Sequence, residues 1–333
     1  FHRDCDGKVG ATSTGRHRSL IGTSTQRILL GFMFATGFLS MWVSNTAAVM
    51  MMVPMGLAIT SQIASALKER TLLVEVPKFE KALIFGIGYA GTIGGLGTLI
   101  GTPPNIILAA QMQQLFDVEI SFFNWMLIGV PLVFFLLFLT SLYLGKFAFH
   151  MNIDAIPGGK QLIEKERASL GRITSEEKAV AIVFVITAFM WISREFIWDK
   201  LFPLLSDGMI AITAAIALFI IPTSKRFSSR ILDRNDAKEI PWGVLLLFGG
   251  GLAIAKGFRD TGLSEWIGNK LNVLDGLHPL FIISVATLLV LLLTEFTSNT
   301  ATATMILPVL ASLALSFSIH PFALMVPAAM AAN

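Results

Sequence analysis

From residue 28 onward, apolar runs follow one another with short polar breaks between them. A helix needs about 20 apolar residues to cross ~30 Å of hydrocarbon. Residues 28–43 fall a little short of that and residues 47–66 just reach it. Between them lies a polar triplet, with no loop long enough to leave a membrane. The pattern next predicts a broken helix over residues 82–110, interrupted by GTPPN, and a helix over residues 122–148. A polar linker covers residues 149–178. Further helices are expected at 179–197, 208–221 and 240–255. Residues 280–293 and 301–317 flank a second polar triplet, and a last helix starts near residue 321 and occupies 321–333.

The two triplets are identical. WVSNTAAVMMMVP contains Ser44-Asn45-Thr46, and FTSNTATATMILP contains Ser298-Asn299-Thr300. Each is followed by Ala, each Ser has a Pro ten residues on (Pro54, Pro308), and each has a hydroxyl residue four positions earlier (Ser40, Thr294). Unwound backbone at membrane depth persists only where protein buries it or a wet cavity faces it. Such a tip offers N–H and C=O groups beside two hydroxyls and an amide. Half-helix N-termini favour anions and unwound carbonyls favour cations. Ser, Asn and Thr also serve simply to hold helices together. A single triplet leaves both readings open; two matched copies with matched upstream hydroxyls favour a ligand site.

Composition supports a membrane protein. Of 333 residues, 54% are hydrophobic and 14% charged, against about 25% charged in soluble domains. The net charge of +3 is too small to point to nucleic acid. Cys5 is the one cysteine, so no intrachain disulfide forms. Where the basic residues sit says more than their sum. Lys68, Arg70, Lys78 and Lys81 follow the first triplet region, while residues 111–121 have no Lys or Arg. The linker region carries Lys146, Lys160, Lys165, Arg167, Arg172 and Lys178; residues 198–207 carry only Lys200; residues 223–239 carry Lys225, Arg226, Arg230, Arg234 and Lys238. This alternation predicts that the linker and residues 223–239 are cytoplasmic.

Residues 28–66 then enter and leave from the cytoplasm as a re-entrant hairpin with the triplet at its tip. Residues 257–278 fall outside, although Lys256, Arg259 and Lys270 stand there with Asp260, Glu265 and Asp275. Residues 280–317 form a second re-entrant hairpin from that side. Two similar hairpins from opposite faces make an inverted repeat, common in secondary transporters. Residues 21–148 are the expected first repeat and residues 179–333 the second. The polar residues 1–20 read neither as a signal peptide nor as a span. With no initiator Met and a stop inside an apolar run, truncation at both ends is expected.

A second kind of break is GGLGTLIGTPPN, residues 94–105. Pro103-Pro104 cannot continue a helix, because Pro lacks the N–H and clashes with the preceding turn. Gly101 lets a carbonyl approach a ligand closely. A packing kink is the plainer alternative. GIGYAG, residues 86–91, matches the dinucleotide pattern, but no strand precedes it and no acid follows at the right distance. FGGGLA, residues 248–253, reads as close helix packing. Glu295 is an acid at membrane depth, so it is either a functional group or an orienting residue for the second tip. No nucleophile–base pair or metal cluster falls within the spans, so nothing points to an enzyme.

FLSMWVSNTAA, TEFTSNTATA and GTLIGTPPN together resemble the divalent anion/sodium symporter family, which includes sodium–dicarboxylate and sodium–citrate cotransporters. The resemblance covers residues 21–333. It implies an all-α integral membrane protein of the plasma or inner membrane, with lipid around it. It also implies a homodimer whose protomers combine a scaffold with a mobile transport domain and work by alternating access. By the same resemblance, Ser44, Asn45, Thr46, Ser298, Asn299 and Thr300 hold the substrate carboxylates, with Thr102 and Pro103 nearby. Ser40, Ser44, Asn45 and the Gly101 carbonyl match a first sodium site; Thr294, Thr297 and Asn299 match a second. Members with Ala at the position of Thr297 use a main-chain carbonyl there. A second Thr-Pro-Pro element and the scaffold helices before the first hairpin are not in the sequence, so the chain by itself is expected not to drive sodium-coupled uptake.

The implied function is sodium-coupled symport of di- or tricarboxylates of the succinate, malate, fumarate and citrate class. A dianion is costly to desolvate, and no Arg or Lys adjoins either triplet. Na⁺ bound beside the tips would neutralise it, and a hard cation suits hydroxyl, amide and carbonyl oxygens. The alternative is a sodium-independent anion exchanger of the same fold. Such relatives often carry a basic residue near the tip, where this sequence has Ala-Ala and Ala-Thr.

Overall fold

At each triplet one helix ends and another starts within four residues. Helix α1 (Thr25–Ser40) is followed by a turn over residues 41–44 and by α2 (Asn45–Ala66). Near the other end, α9 (Pro279–Thr294) is followed by residues 295–298 and by α10 (Asn299–Ser316). The sequence reading places all of each triplet in the unwound tip. The structure instead winds Asn45, Thr46, Asn299 and Thr300 into the first turn of the following helix. At the first tip capping is the reason: Ser44 Oγ accepts the Ala47 N–H at 3.3 Å; at the second, Ser298 takes the extended N-cap backbone, φ −70° and ψ 135°, without a side-chain bond. Pro54 and Pro308 lie inside α2 and α10.

The computed structural model describes residues 25–66, 76–149, 173–223, 226–233, 236–239, 242–263, 266, 278–317 and 319–333. The polar segment 1–20, nearly all of the linker and most of residues 257–278 lie outside these, and Lys68 and Arg70 with them.

The remaining elements start and stop for local reasons. Helix α3 (Val76–Gly95) ends in the glycine pair, residues 96–102 turn, and α4 (Pro103–Phe116) restarts on the two prolines. Pro suits the first helical turn, where its missing N–H would have no helical partner anyway. Asp117 closes α4 in the left-handed conformation, φ 55°. Ser121 Oγ caps α5 (Phe122–Leu142), which runs on as a wide π turn to Ala148. Thr174 and Glu177 form a reciprocal cap on α6 (Ser175–Ser193), which continues through a π segment, Arg194–Trp198, as far as Leu201. Helix α7 (Asp207–Ile220) leads into a small antiparallel pair, β1 (Pro222–Thr223) and β2 (Arg226–Arg230), a local departure from the all-helical expectation. Helices α8 (Trp242–Asp260) and α11 (Pro321–Ala331) complete the described elements.

Among the described residues, four helices are long and apolar enough to cross a membrane: Asn45–Ser65, Phe122–Ala148, Ser175–Leu201 and Asn299–Ser316. Helix α9 has 16 residues, which at ~1.5 Å per residue is less than the hydrocarbon thickness. Apolar side chains face outward along α5, where Leu127, Ile128, Phe134, Phe135, Phe138 and Leu139 are exposed. Polar ones turn inward: Thr36, Ser40, Thr98, Thr102, Asn105 and Gln111 are buried. An apolar solvent favours that arrangement, since a polar group finds partners only inside the protein.

Two apolar cores fill the bundle. Leu29, Met33, Ile63, Phe79, Leu83, Val133 and Leu137 build one, from α1, α2, α3 and α5. Ile107, Leu108, Met112, Val290, Leu307, Leu310 and Leu324 build the other, from α4, α9, α10 and α11. The break between α3 and α4 carries the chain from one to the other, Leu96 packing in the first core and Leu99 in the second. Trp42, in the first tip, and Met330, in α11, pack against both.

Candidate functional site

The first tip closes on the C-terminal end of α3. Ser40, fully buried, is the last residue of α1. Its Oγ lies 2.9 Å from Asn45 Oδ1 and 2.5 Å from the Gly91 carbonyl oxygen. A serine hydroxyl carries one proton. It can donate to one of these acceptors at a time, so one hydroxyl proton serves two oxygens.

The second tip repeats the arrangement. Thr294 Oγ1 lies 3.0 Å from Asn299 Oδ1 and 3.1 Å from the Ala332 carbonyl oxygen. Again a hydroxyl contacts the asparagine five residues on and a carbonyl from a distant helix end. In each cluster one hydroxyl proton faces two other oxygens, and a small hard cation is suited to three such oxygens at once. The donor set, a hydroxyl, an amide oxygen and a main-chain carbonyl, therefore fits a small hard cation such as Na⁺.

The break lies behind the first cluster. A Cβ on Gly95 would come within 2.5 Å of Asn45 Oδ1, and one on Gly101 within 2.5 Å of the Gly95 carbonyl oxygen. Glycine at both positions is what allows the Asn45 amide, Gly95 and Gly101 to stack this closely. Thr98 holds the layer in place: its hydroxyl donates to the Met41 carbonyl at 2.5 Å and accepts the Gly101 N–H at 3.1 Å. Asn105 Nδ2 donates to the carbonyls of Gly95 (3.1 Å) and Thr98 (2.9 Å), while its Oδ1 is buried without a hydrogen-bond partner. Trp125 Nε1 donates to the Leu96 carbonyl at 2.9 Å.

The helix ends set the local field. The first N–H groups of α2 and α10 have no intrahelical partner and carry the positive end of the helix dipole. Both helices begin at the tips, where Ser44, Thr46 and Ser298 are exposed and Asn45, Asn299 and Thr300 are partly buried. Helix α4 starts with Pro103-Pro104, which supply no N–H groups. The tips thus favour an anion, and the carbonyl-rich end of α3 favours a cation.

Not every residue named from the sequence joins a cluster. Ser40 with Asn45, and Thr294 with Asn299, come together directly. Ser44 is taken up by capping α2. Thr297 turns back on its own helix, donating to the Leu293 carbonyl at 2.9 Å and sharing a short hydrogen bond with Thr302. Thr102 is 2% exposed and caps α4 without a side-chain bond, with Pro103 partly buried beside it. Glu295 is exposed at the second tip.

Sequence reasoning missed Gly95, Thr98, Ala332 and Asn333. Asn333 Oδ1 accepts from Asn45 Nδ2 at 3.0 Å, and its Nδ2 donates to the Thr92 carbonyl at 2.6 Å. Its one sequence signal is a lone amide at the end of the apolar stretch PAAMAAN.

Comparison with known proteins supplies the family. The citrate transporter family matches residues 17–331. The chain is 56% identical over 318 residues to a protein of Staphylococcus saprophyticus named sodium-dependent dicarboxylate transporter SdcS, an alignment covering 94% of this chain and 61% of that protein. It is 54% identical over 318 residues to a protein of the same name from Staphylococcus aureus, covering 95% of this chain and 61% of the relative. The chain thus spans about three-fifths of the length of these relatives. Both relatives and the family are named as transporters, and none as an enzyme. The match runs through both tips, the break and α11, over helices that keep their polar groups inside and their apolar ones outside: this chain is an integral, multi-pass membrane protein of the citrate transporter family.

Proposed function

We propose that these residues form the substrate and ion sites of a sodium-coupled dicarboxylate symporter. One observation carries the reading: at each tip a hydroxyl, an asparagine amide oxygen and a carbonyl oxygen distant in sequence converge within hydrogen-bond distance. Na⁺ in each cluster supplies a positive partner. The substrate carboxylates then lie against the N-termini of α2 and α10, held by Ser44, Asn45 and Thr46 on one side and by Ser298, Asn299 and Thr300 on the other. Thr102 and Pro103 flank them, and the Gly101 carbonyl and Thr297 complete the ion sites. The dianion meets positive helix ends and adjacent cations instead of a lysine or arginine, which makes its binding depend on sodium.

The finer architecture belongs to the same proposal. Helix α9 is too short to span, which supports a hairpin α9–α10 that enters and leaves on one side, and the matched triplet supports the same for α1–α2. The matched clusters support an inverted repeat, with residues 21–148 and 179–333 as its halves. The distribution of Lys and Arg supports a cytoplasmic linker, and the family resemblance supports a homodimer in the membrane.

Calorimetric titration with succinate tests the reading. It uses a purified protein of the relatives' full length that contains this sequence. Binding in sodium buffer at least tenfold tighter than in choline buffer is expected. Equal affinity in the two buffers would point to the sodium-independent exchanger.

A further inference from the structure

We infer that Asn333 is a positioning residue that couples the two tip sites, so that an ion in one sets the geometry of the other. The inference rests on the sodium reading of the two clusters and deepens it. Two consecutive residues after α11 touch both sites. The Ala332 carbonyl oxygen is part of the second cluster, 3.1 Å from Thr294 Oγ1. The next side chain, Asn333, accepts from Asn45 Nδ2 at 3.0 Å, and Asn45 Oδ1 belongs to the first cluster. A continuous path therefore runs from Asn299 through Thr294, Ala332, Asn333 and Asn45 to Ser40, with a covalent link between 332 and 333 at its centre.

The path is stiff enough to transmit a displacement. Ala332 is fully buried, and Met330 just before it packs against both apolar cores. Asn333 is held at both ends of its amide, by Asn45 on α2 and by the Thr92 carbonyl on α3 at 2.6 Å. The Asn45 amide is a rigid plane. If a cation draws its Oδ1 inward, its Nδ2 must turn, and Nδ2 is tied to Asn333. Asn333, whose Nδ2 is also tied to the Thr92 carbonyl, follows at the expense of that bond or by shifting the peptide that carries the Ala332 carbonyl. Occupancy of the first cluster thereby moves a ligand of the second, and the effect must be reciprocal at equilibrium.

The plainer role for Asn333 is to glue α11 to α2 and α3. Glue would alter stability but not cooperativity. The test is sodium activation of succinate uptake into proteoliposomes, using a protein of the relatives' full length that contains this sequence. The unaltered protein should give a sigmoidal sodium curve with a Hill coefficient clearly above about 1, as expected of two coupled sites. In Asn333→Ala the coefficient should fall below that of the unaltered protein, towards the value given by two independent required ions, and the half-maximal sodium concentration should rise roughly 5-fold or more. Asn333→Ser, polar but too short to span Asn45 and Thr92, should behave alike and serves if the alanine variant fails to fold. A sodium-dependent protein whose Hill coefficient stays unchanged in either folded variant overturns the coupling and leaves the sodium sites standing. A hyperbolic curve for the unaltered protein overturns it without any variant. Uptake indifferent to sodium overturns the sodium reading and the coupling together.

Discussion

Asn45 and Asn299 each present an amide whose oxygen joins a hydroxyl and a carbonyl oxygen, and the nitrogen of Asn45 donates to Asn333. Replacing either with Ala removes the oxygen and leaves buried neighbours unpaired, at about 1–3 kcal/mol each. That corresponds to roughly a 5- to 150-fold loss in succinate affinity. Because the clusters match, Asn45→Ala and Asn299→Ala should weaken binding to a similar degree and raise the sodium needed for half-maximal uptake. An unchanged sodium requirement in either variant would reduce that asparagine to helix glue. Asn45→Asp keeps the size, removes the donors and sets a negative charge beside the anion, so it should retain sodium binding and lose succinate. Gly95→Ala reaches the same place indirectly. Its Cβ would come within 2.5 Å of Asn45 Oδ1, so it should impair sodium activation much as Asn45→Ala does; normal activation would show that the amide has room to move. Ser40, Thr294 and the two asparagines were legible because the chain repeats them at the same spacing. Gly95, Thr98 and Asn333 were not, because each acts on a residue far away in sequence: 50 positions separate Gly95 from Asn45, and 288 separate Asn333 from Asn45.

Element boundaries show why local chemistry is a better guide to breaks than to tips. Pro103-Pro104 marks the interruption, and the helix stops at Gly95 and restarts on Pro103. At the tips, apolar periodicity gives no sign that Asn45 and Asn299 already belong to the next helix; at the first tip Ser44 caps that helix, and at the second Ser298 takes the extended N-cap backbone. The proposed re-entrant hairpins would have a topological consequence, which follows from the Lys and Arg placement. In a Cys5→Ser background, Glu75→Cys should react with an impermeant thiol reagent only from the cytoplasmic side, and Asp275→Cys only from outside. Labelling of both from one side would remove the inverted repeat. A different element-level device lies at the end of α6. Buried Arg194 reaches Glu119 at 2.5 Å, Asp207 at 3.2 Å and Asp199 at 3.6 Å, tying the loop before α5 to the turn before α7. Arg194→Ala leaves three carboxylates facing one another. Breaking a fully buried pair costs about 3–5 kcal/mol; with Glu119 and Asp199 still hydrated, about 2 kcal/mol is expected, read as a lower Tm at an unchanged sodium requirement. A shifted sodium curve at unchanged Tm would instead place Arg194 in the transport cycle.

For the molecule as a whole, low charge and long apolar runs made the membrane setting legible, and the outward apolar surface of α5 is its structural counterpart. The meeting of two cores was not legible, because periodicity does not reveal which helix packs on which. That meeting matters most for function. The break, the first tip and α11 lie where the cores join at Trp42 and Met330, so a rearrangement of one core against the other would act on both clusters together. A symporter needs such a link between ion occupancy and movement, since a dianion held by sodium alone should cross only with it. The most direct measurement is accumulation of labelled succinate in proteoliposomes carrying a full-length protein with this sequence. With an inward sodium gradient and no internal substrate, uptake is predicted to rise above equilibrium and to collapse when sodium is replaced by choline. Accumulation that ignores sodium and requires internal dicarboxylate would contradict the account.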